Sequence, residues 1–378
     1  MRIGVTGAFG FLGARFVAAL LDQTPGAGAS ATYDVTAFAR RTRSNPVFDP
    51  SRTNVVDLDI RDVAAMTAAF AGLDAVAHFA GLVDFRAART REIWDANLVG
   101  TARVFDAAEA AGVSRVLYAA SVNVLGASRD ATLLDERSTP YANPSGAHSF
   151  RSAAEAMGAV HRSLAGDYGF LRYVRGAYLD SKLAAWELAT SRVRERGLPI
   201  VTVLPGTLVG AGDLHYSISD LVDRAWEGRL RVCFPGATSF VDAGDFAEGA
   251  RLALEHGRAG EGYILSGRDE DNLDYAQFIT LVSATAAAVE NRTARRAWPI
   301  PRAIALGVAS AAEMIAPRSG LTRALAESGS ARNICSSARA RAELGYTHRS
   351  TLAESIRACR RFSGENPAIR QAGVVSAR

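Results

Sequence analysis

The chain has 378 residues, enough for one large domain or two ordinary ones, and its 48% hydrophobic and 22% charged residues exclude a disordered chain. The net charge of +4 comes without any lysine or arginine block, which argues against nucleic acid as a partner. Three scattered cysteines (Cys233, Cys335, Cys359) exclude a disulfide framework and give no zinc spacing. No apolar run reaches transmembrane length and no leader precedes the first strand, so a reduced, cytoplasmic protein without membrane contact is expected.

The first 120 residues alternate short apolar runs with helix-length segments. Strands are read near Ile3–Thr6, Asp34–Phe38, Thr53–Val56, Ala75–Phe79 and Arg115–Ala120, and helices near Phe11–Gln23, Val63–Ala71 and Thr90–Ala111. Strands this apolar are buried on both faces, which predicts an α/β fold with a parallel sheet covered by helices. After Gly126 the pattern breaks, and residues 127–150, with Pro140 and Pro144, read as loop. Helices follow near Ser152–Leu164 and Ala177–Arg196, the second leading through Gly197 and Pro199 into a strand Ile200–Leu204. A further strand is read at Tyr263–Ser266, and residues 364–378 read as a mobile tail. The alanine-rich stretch Pro299–Ala316, with Ile304, Leu306, Val308 and Ile315, has a short polar face with little basic charge. Packing on its own domain is expected there, rather than a membrane surface or a subunit contact.

Gly7, Gly10 and Gly13 fall at the turn between the first strand and first helix, in the run Gly7-Ala8-Phe9-Gly10-Phe11-Leu12-Gly13. Gly7 permits the tight turn, Gly10 lets a pyrophosphate approach the backbone, and Gly13 lets the helix pack closely on the sheet. The free N–H groups at the helix start then face the anion, so Phe9, Phe11 and Leu12 join the glycines as dinucleotide-binding candidates. The residue ending the second strand meets the ribose 2′ position. Here it is Arg40, followed by Arg41 and Arg43, with no acid before Asp49. A basic side chain pairs with a 2′-phosphate, so NADP is favoured, with NAD the other possibility. Asp59, followed by Ile60, is placed to accept from an adenine amino group. Capping the helix that starts at Val63 is its alternative role, which Asp62 could equally fill.

Among 43 basic residues the only lysine is Lys182. Where arginine replaces lysine almost everywhere, the surviving lysine marks a place that needs a compact ammonium. Lys182 lies four residues after Tyr178, on one face of a helix, and a neighbouring ammonium is expected to lower the tyrosine pKa toward working pH. Ser121 closes the fifth strand at the carboxyl edge, where it can donate to the same substrate oxygen. Asn97, on the preceding helix, is a candidate to hold a water beside the lysine.

Together these residues resemble the extended short-chain dehydrogenase/reductase family, also called NAD-dependent epimerases/dehydratases. The matching stretches are Thr6–Gly13, Asp59–Asp62, His78–Gly81, Asn97–Thr101, Ser121–Gly126, Tyr178–Lys182, Pro205–Gly210, Phe240–Ala247, Glu261–Leu265 and Glu343–Tyr346. The resemblance implies a Rossmann doubly wound parallel sheet over residues 1–205, with an insertion at about 128–175 and residues 239–256 returning to it. Residues 206–378 would then form a smaller mixed, substrate-binding domain. It also implies a triad of Ser121, Tyr178 and Lys182 supported by Asn97. Phe79, Ala80, Gly81, Pro205 and Thr207 would flank the cofactor, and homodimers are common.

Two departures stand out. Ser121 and Tyr178 are 57 residues apart, longer than usual, and the excess reads as a lid over the substrate, its His148 and His161 as ordinary surface residues. Trp186 stands where relatives often carry glutamate, which bears on helix packing. The stretch Leu204–Gly210 looks more like dihydroflavonol reductases and 3β-hydroxysteroid dehydrogenases than nucleotide-sugar enzymes. The expectation is hydride exchange with a ketone or secondary alcohol of a fairly apolar small molecule. The alternatives are a nucleotide-sugar epimerase or dehydratase, with Arg229, Arg231 or Arg295 on the diphosphate, and a non-catalytic dinucleotide-binding regulator.

Overall fold

The structure is a computed structural model that describes residues 1–22, 33–40, 44–128, 130–142, 148–215, 218–316 and 320–369. The expected strands form as β1 (Arg2–Thr6), β2 (Asp34–Ala39), β3 (Asn54–Asp57), β4 (Ala75–His78), β5 (Arg115–Ala119), β6 (Ile200–Pro205) and β7 (Gly262–Leu265). They make one sheet in the order β7-β6-β5-β4-β1-β2-β3, and every pairing is parallel. This is the doubly wound arrangement, in which ligands bind outside the carboxyl ends of the strands. The near-continuous burial of β4, β5 and β6 matches their unbroken apolar runs.

Helices α1 (Phe11–Leu21), α2 (Val63–Phe70), α3 (Thr90–Trp94), α4 (Gly100–Ala110), α5 (Ala153–Leu164) and α6 (Ala177–Arg196) cover the sheet. The predicted continuous helix from Thr90 to Ala111 is broken by a π-helical turn at Asp95–Val99. Such a turn re-aims side chains and often marks a functional position. The helix Ala243–His256 packs on α1. Strand β7, which the sequence assigned to the second unit, instead completes the main sheet beside β6. At this edge Glu136 Oε1 accepts from Ile264 N at 2.9 Å, and Arg339 Nη1 donates to Gly262 O at 3.3 Å.

A second core lies under a small sheet in which Ala237–Asp242 pairs with Thr207–Val209, Asn272–Asp274 and Arg332–Asn333. Phe240 stacks on Phe278 there, at 3.9 Å between ring centres, among Val209, Trp226 and Ile356. The helix Arg302–Ile315 packs on its own domain, against the helix Arg323–Gly329, but through other residues than the apolar ones singled out. It buries only Ala305 and Ala309, while Ile304, Val308 and Ile315 are more than half exposed, because its inward stripe is built from alanines.

The segment expected as a lid is a wall. Its α5 packs along α6, with Ser152 capping its start. Trp94 Nε1 donates to Ser163 Oγ at 2.6 Å, Tyr168 donates to Asp95, and Phe150 and Phe170 meet Trp94 edge-on. These aromatic residues extend the main core, burial that a solvent-exposed lid would forgo. Trp186 joins the same core. His161 is exposed as expected, but His148 has only 3% of its side chain exposed and is no surface residue.

Candidate active site

The glycine loop is dense where the sheet requires it and open where an anion would sit. Gly7 has φ +71°, and a Cβ there would lie 2.6 Å from Ala80 N. A Cβ on Gly13 would come within 2.2 Å of Gly7 O, so both positions are closed to any side chain. A Cβ on Gly10 meets only Gly7 O, at 3.3 Å. Helix α1 starts here without a side-chain cap and without an acidic residue in its first turn, so its N-terminal N–H groups suit a diphosphate. The buried Asn45 braces the loop, its Nδ2 donating to Phe9 O at 3.1 Å and to Gly212 O at 3.2 Å. Asn45 carries no signal of this role in the sequence, since a lone asparagine in a polar loop has no periodicity.

At the ribose end, Arg40 follows β2 and is exposed, its charge reaching Asp59 and Glu92. Arg41 and Arg43 lie outside the described residues. The two roles open to Asp59 separate: Asp62 caps α2 through Ala65 N at 3.0 Å, while Asp59 takes Arg61 Nε at 2.9 Å. That hydrogen bond holds the Asp59 carboxyl below its ordinary range. Ile60 packs against Gly100, where a Cβ would lie 2.6 Å from its Cδ1.

Beyond β4, the Phe79 ring turns into the core against Phe16 and Phe246, which leaves the Ala80–Gly81 backbone along the strand ends. A Cβ on Gly81 would lie 3.0 Å from Asn97 Oδ1 and 3.6 Å from Lys182 Nζ, so only glycine leaves room beside the ammonium. Pro205 ends β6, and Thr207 Oγ1 lies 3.0 Å from Thr238 Oγ1, within the small sheet.

Ser121 follows β5 and opens the short turn Val122–Leu125. Helix α6 brings up Tyr178, which is 9% exposed and edge-on to Phe85. Burial pushes the Tyr178 phenol above its usual value of 10, and a hydrogen bond from Ser121 pulls it back. The net direction is opposite to the lowering expected from the neighbouring ammonium, because burial dominates. Lys182 Nζ donates to Ala119 O at 3.0 Å and lies 5.7 Å above the Tyr118 ring. Burial brings the Lys182 ammonium down to about 8.

Asn97 sits on the π turn, and both ends of its amide are hydrogen-bonded. Oδ1 accepts from Leu82 N at 2.7 Å, while Nδ2 donates to Leu82 O at 2.9 Å and to Ser181 Oγ at 3.0 Å. The amide clamps the loop after β4 onto α6, and Oδ1 keeps a second lone pair beside Gly81. His78, unassigned from sequence, forms a buried chain: Thr6 Oγ1 lies 2.7 Å from Nδ1 and Thr101 Oγ1 lies 2.9 Å from Nε2. Thr101 donates its own proton to Asn97 O at 2.7 Å, so it must accept from Nε2–H, and Thr6 must then donate to Nδ1. Burial, and then Lys182, lower the His78 pKa to about 3, which keeps the ring neutral.

Among the described residues no cluster of His, Cys, Asp and Glu could hold a metal, and no helix is long and apolar enough to cross a membrane.

A family model described as "NAD dependent epimerase/dehydratase family" matches residues 3–266. The chain is 28% identical over 265 residues to "Sterol demethylase protein B" of Methylococcus capsulatus, a match covering 70% of this chain and 69% of that protein. It is 33% identical over 125 residues to human "3 beta-hydroxysteroid dehydrogenase type 7", covering 32% of this chain and only 33% of that protein's length. The fold is similar to the crystal structure of DesIV, a dTDP-glucose 4,6-dehydratase from Streptomyces venezuelae with NAD bound. The TM-score is 0.68 at 22% identity, with 97% of this chain and 98% of that one covered.

Proposed function

The chain belongs to the NAD-dependent epimerase/dehydratase family, and from that premise we propose an oxidoreductase that exchanges a hydride between NADP(H) and a ketone or secondary alcohol of a fairly apolar small molecule. The observation that carries this reading is the buried Tyr178 phenol, hydrogen-bonded by Ser121 and one helical turn before Lys182. A phenol pushed above 10 holds its proton at neutral pH, so Tyr178 is ready to donate to a carbonyl oxygen. Ser121 steadies that oxygen and the phenolate left behind. Lys182, braced by Ala119 O, carries the positive charge next to Gly81.

The dinucleotide would be held by Gly7, Gly10 and Gly13 with the start of α1, by Arg40 and Asp59, and by the Phe79–Gly81 backbone with Lys182. Bound there, its nicotinamide supplies or accepts the hydride. Arg40, exposed at the end of β2, favours a 2′-phosphate. The three free cysteines support a reducing compartment such as the cytoplasm, and a homodimer is the assembly the family suggests.

A nucleotide-sugar epimerase or dehydratase needs a cation for the substrate diphosphate. Of the three candidates, Arg229 pairs with Glu227 at 2.6 Å and Arg295 Nη1 donates to Gly228 O at 3.2 Å, so only Arg231 is left uncommitted. A non-catalytic regulator has no use for the paired phenol and amine. Purified protein with NADPH, offered steroid and flavonoid ketones beside nucleotide sugars, tests these readings. Oxidation of NADPH by the apolar ketones alone is expected; turnover of the sugars alone would overturn the proposal.

A further inference from the structure

His148 lies in the inserted segment, outside every residue assigned above, yet it touches both limbs of the site. Its Nε2 is 3.0 Å from Asn123 O, in the turn that Ser121 opens. Its Nδ1 is 3.5 Å from Asp180 Oδ1, two residues after Tyr178 on α6, and makes no hydrogen bond. A backbone carbonyl only accepts, so Nε2 carries a proton. The Asp180 side chain is fully buried, with Oδ1 accepting from Ser149 N at 2.7 Å and Oδ2 from Ser149 Oγ at 2.6 Å. Among the described residues, His148 is the one basic side chain within 4 Å of that carboxylate. A buried carboxylate needs a counter-charge, and a bare Nδ1 would instead turn its lone pair toward it.

The other titratable or charged groups around the pair supply no such charge. Tyr141, on the inserted segment, feels Glu187, Asp180 and Glu155, and its hydroxyl donates to Glu187 Oε1 at 2.8 Å. From the same segment Arg151 and Arg175 offer only backbone N–H groups, to Glu155 and Ser149. On α6, Lys182 is turned away to Ala119 O, and the Val122–Leu125 turn carries no charged residue.

We infer that His148 is a positioning residue: as an imidazolium it ties the Ser121 turn to the Tyr178 helix and so fixes the distance between the two hydroxyls. The inference deepens the proposed function, on which its kinetic meaning rests, but its protonation state can be measured without any turnover.

The test uses the full chain labelled with 15N-histidine and 13Cζ-tyrosine. At pH 6.5 the His148 ring, assigned by its disappearance in His148→Gln, is expected to show two protonated nitrogens. One protonated and one bare nitrogen would overturn the inference and point to a neutral ring over a protonated Asp180. The Tyr178 Cζ resonance, assigned with Tyr178→Phe, is expected to shift in His148→Gln and to stay in place in His161→Gln. An unmoved resonance in His148→Gln would overturn the positioning role. Should His148→Gln not fold, Asp180→Asn replaces it: the ring is then expected to become neutral at the same pH, and an unchanged ring signal counts against the pair. If no ketone is ever reduced while both signatures appear, the proposed function fails and this inference stands.

Discussion

Thr6 Oγ1 donates to His78 Nδ1 across 2.7 Å, joining the last residue before the glycine loop to the residue that ends β4. Through Thr101 the same chain reaches the Asn97 carbonyl on the π turn, so the glycine loop and the π turn share one buried hydrogen-bond line. Its proton order works only with a neutral ring. Free histidine protonates near 6.5 and His78 near 3, so between these values the unfolded chain binds the extra proton and stability falls as pH falls. The expected slope is about 1.4 kcal/mol per pH unit from this residue. Urea unfolding from pH 7 to 4 should show a shallower acid loss in His78→Asn than in the parent.

Tyr178→Phe removes the proton donor and leaves the packing against Phe85 in place. Turnover should fall by about 10²-fold or more. The affinity for NADPH, followed by fluorescence, should stay within about twofold, since no phosphate contact is touched.

Lys182→Arg keeps the charge but puts a planar fork where a thin stem reaches Ala119 O past Gly81. A loss of turnover of at least about tenfold is expected. In the parent, activity should decline as pH rises through about 8, where the ammonium is lost. A plateau beyond pH 9 in kcat would remove Lys182 from the proton balance.

The glycines separate folding from binding. Gly13→Ala drives a methyl to 2.2 Å from Gly7 O and should cost about 1–3 kcal/mol in denaturant unfolding. Gly10→Ala should cost less stability than Gly13→Ala, because its Cβ meets only one atom, at 3.3 Å, yet weaken NADPH binding by about tenfold or more.

Arg40→Ser should raise the Kd for NADPH by about tenfold, or 1.4 kcal/mol, and leave NADH nearly unchanged. Equal losses for both nucleotides would mean that Arg40 does not read the 2′-phosphate.

The parallel sheet was legible because period and apolarity agree in each of its early strands, and β1 through β6 form within two residues of their expected bounds. The glycine loop and the Tyr178–Lys182 spacing were legible for a similar reason: both are local patterns on single elements. What escaped depends on distant partners. The π turn is invisible to helical periodicity, since Asp95–Val99 contains no glycine or proline and its distant partners, Leu82 and Ser181 on the Asn97 amide, are brought together only by the fold. His148 and Asn45 look like ordinary loop residues until the chain folds back over them. The Tyr178 phenol was misjudged because spacing shows a nearby ammonium and conceals both burial and the competing carbonyl of Ala119.

Glu136 and Arg339 occupy the outward N–H of Ile264 and the carbonyl of Gly262, on the last strand of the main sheet. An unguarded border strand invites a neighbouring molecule to add its own strand, the route by which sheets polymerise. On this flank that recruitment is forestalled by a carboxylate and a guanidinium, one of them carried by the same inserted segment that holds His148. Strand-to-strand addition by a second copy is thereby blocked on this flank, and truncating the insertion would expose a sticky seam.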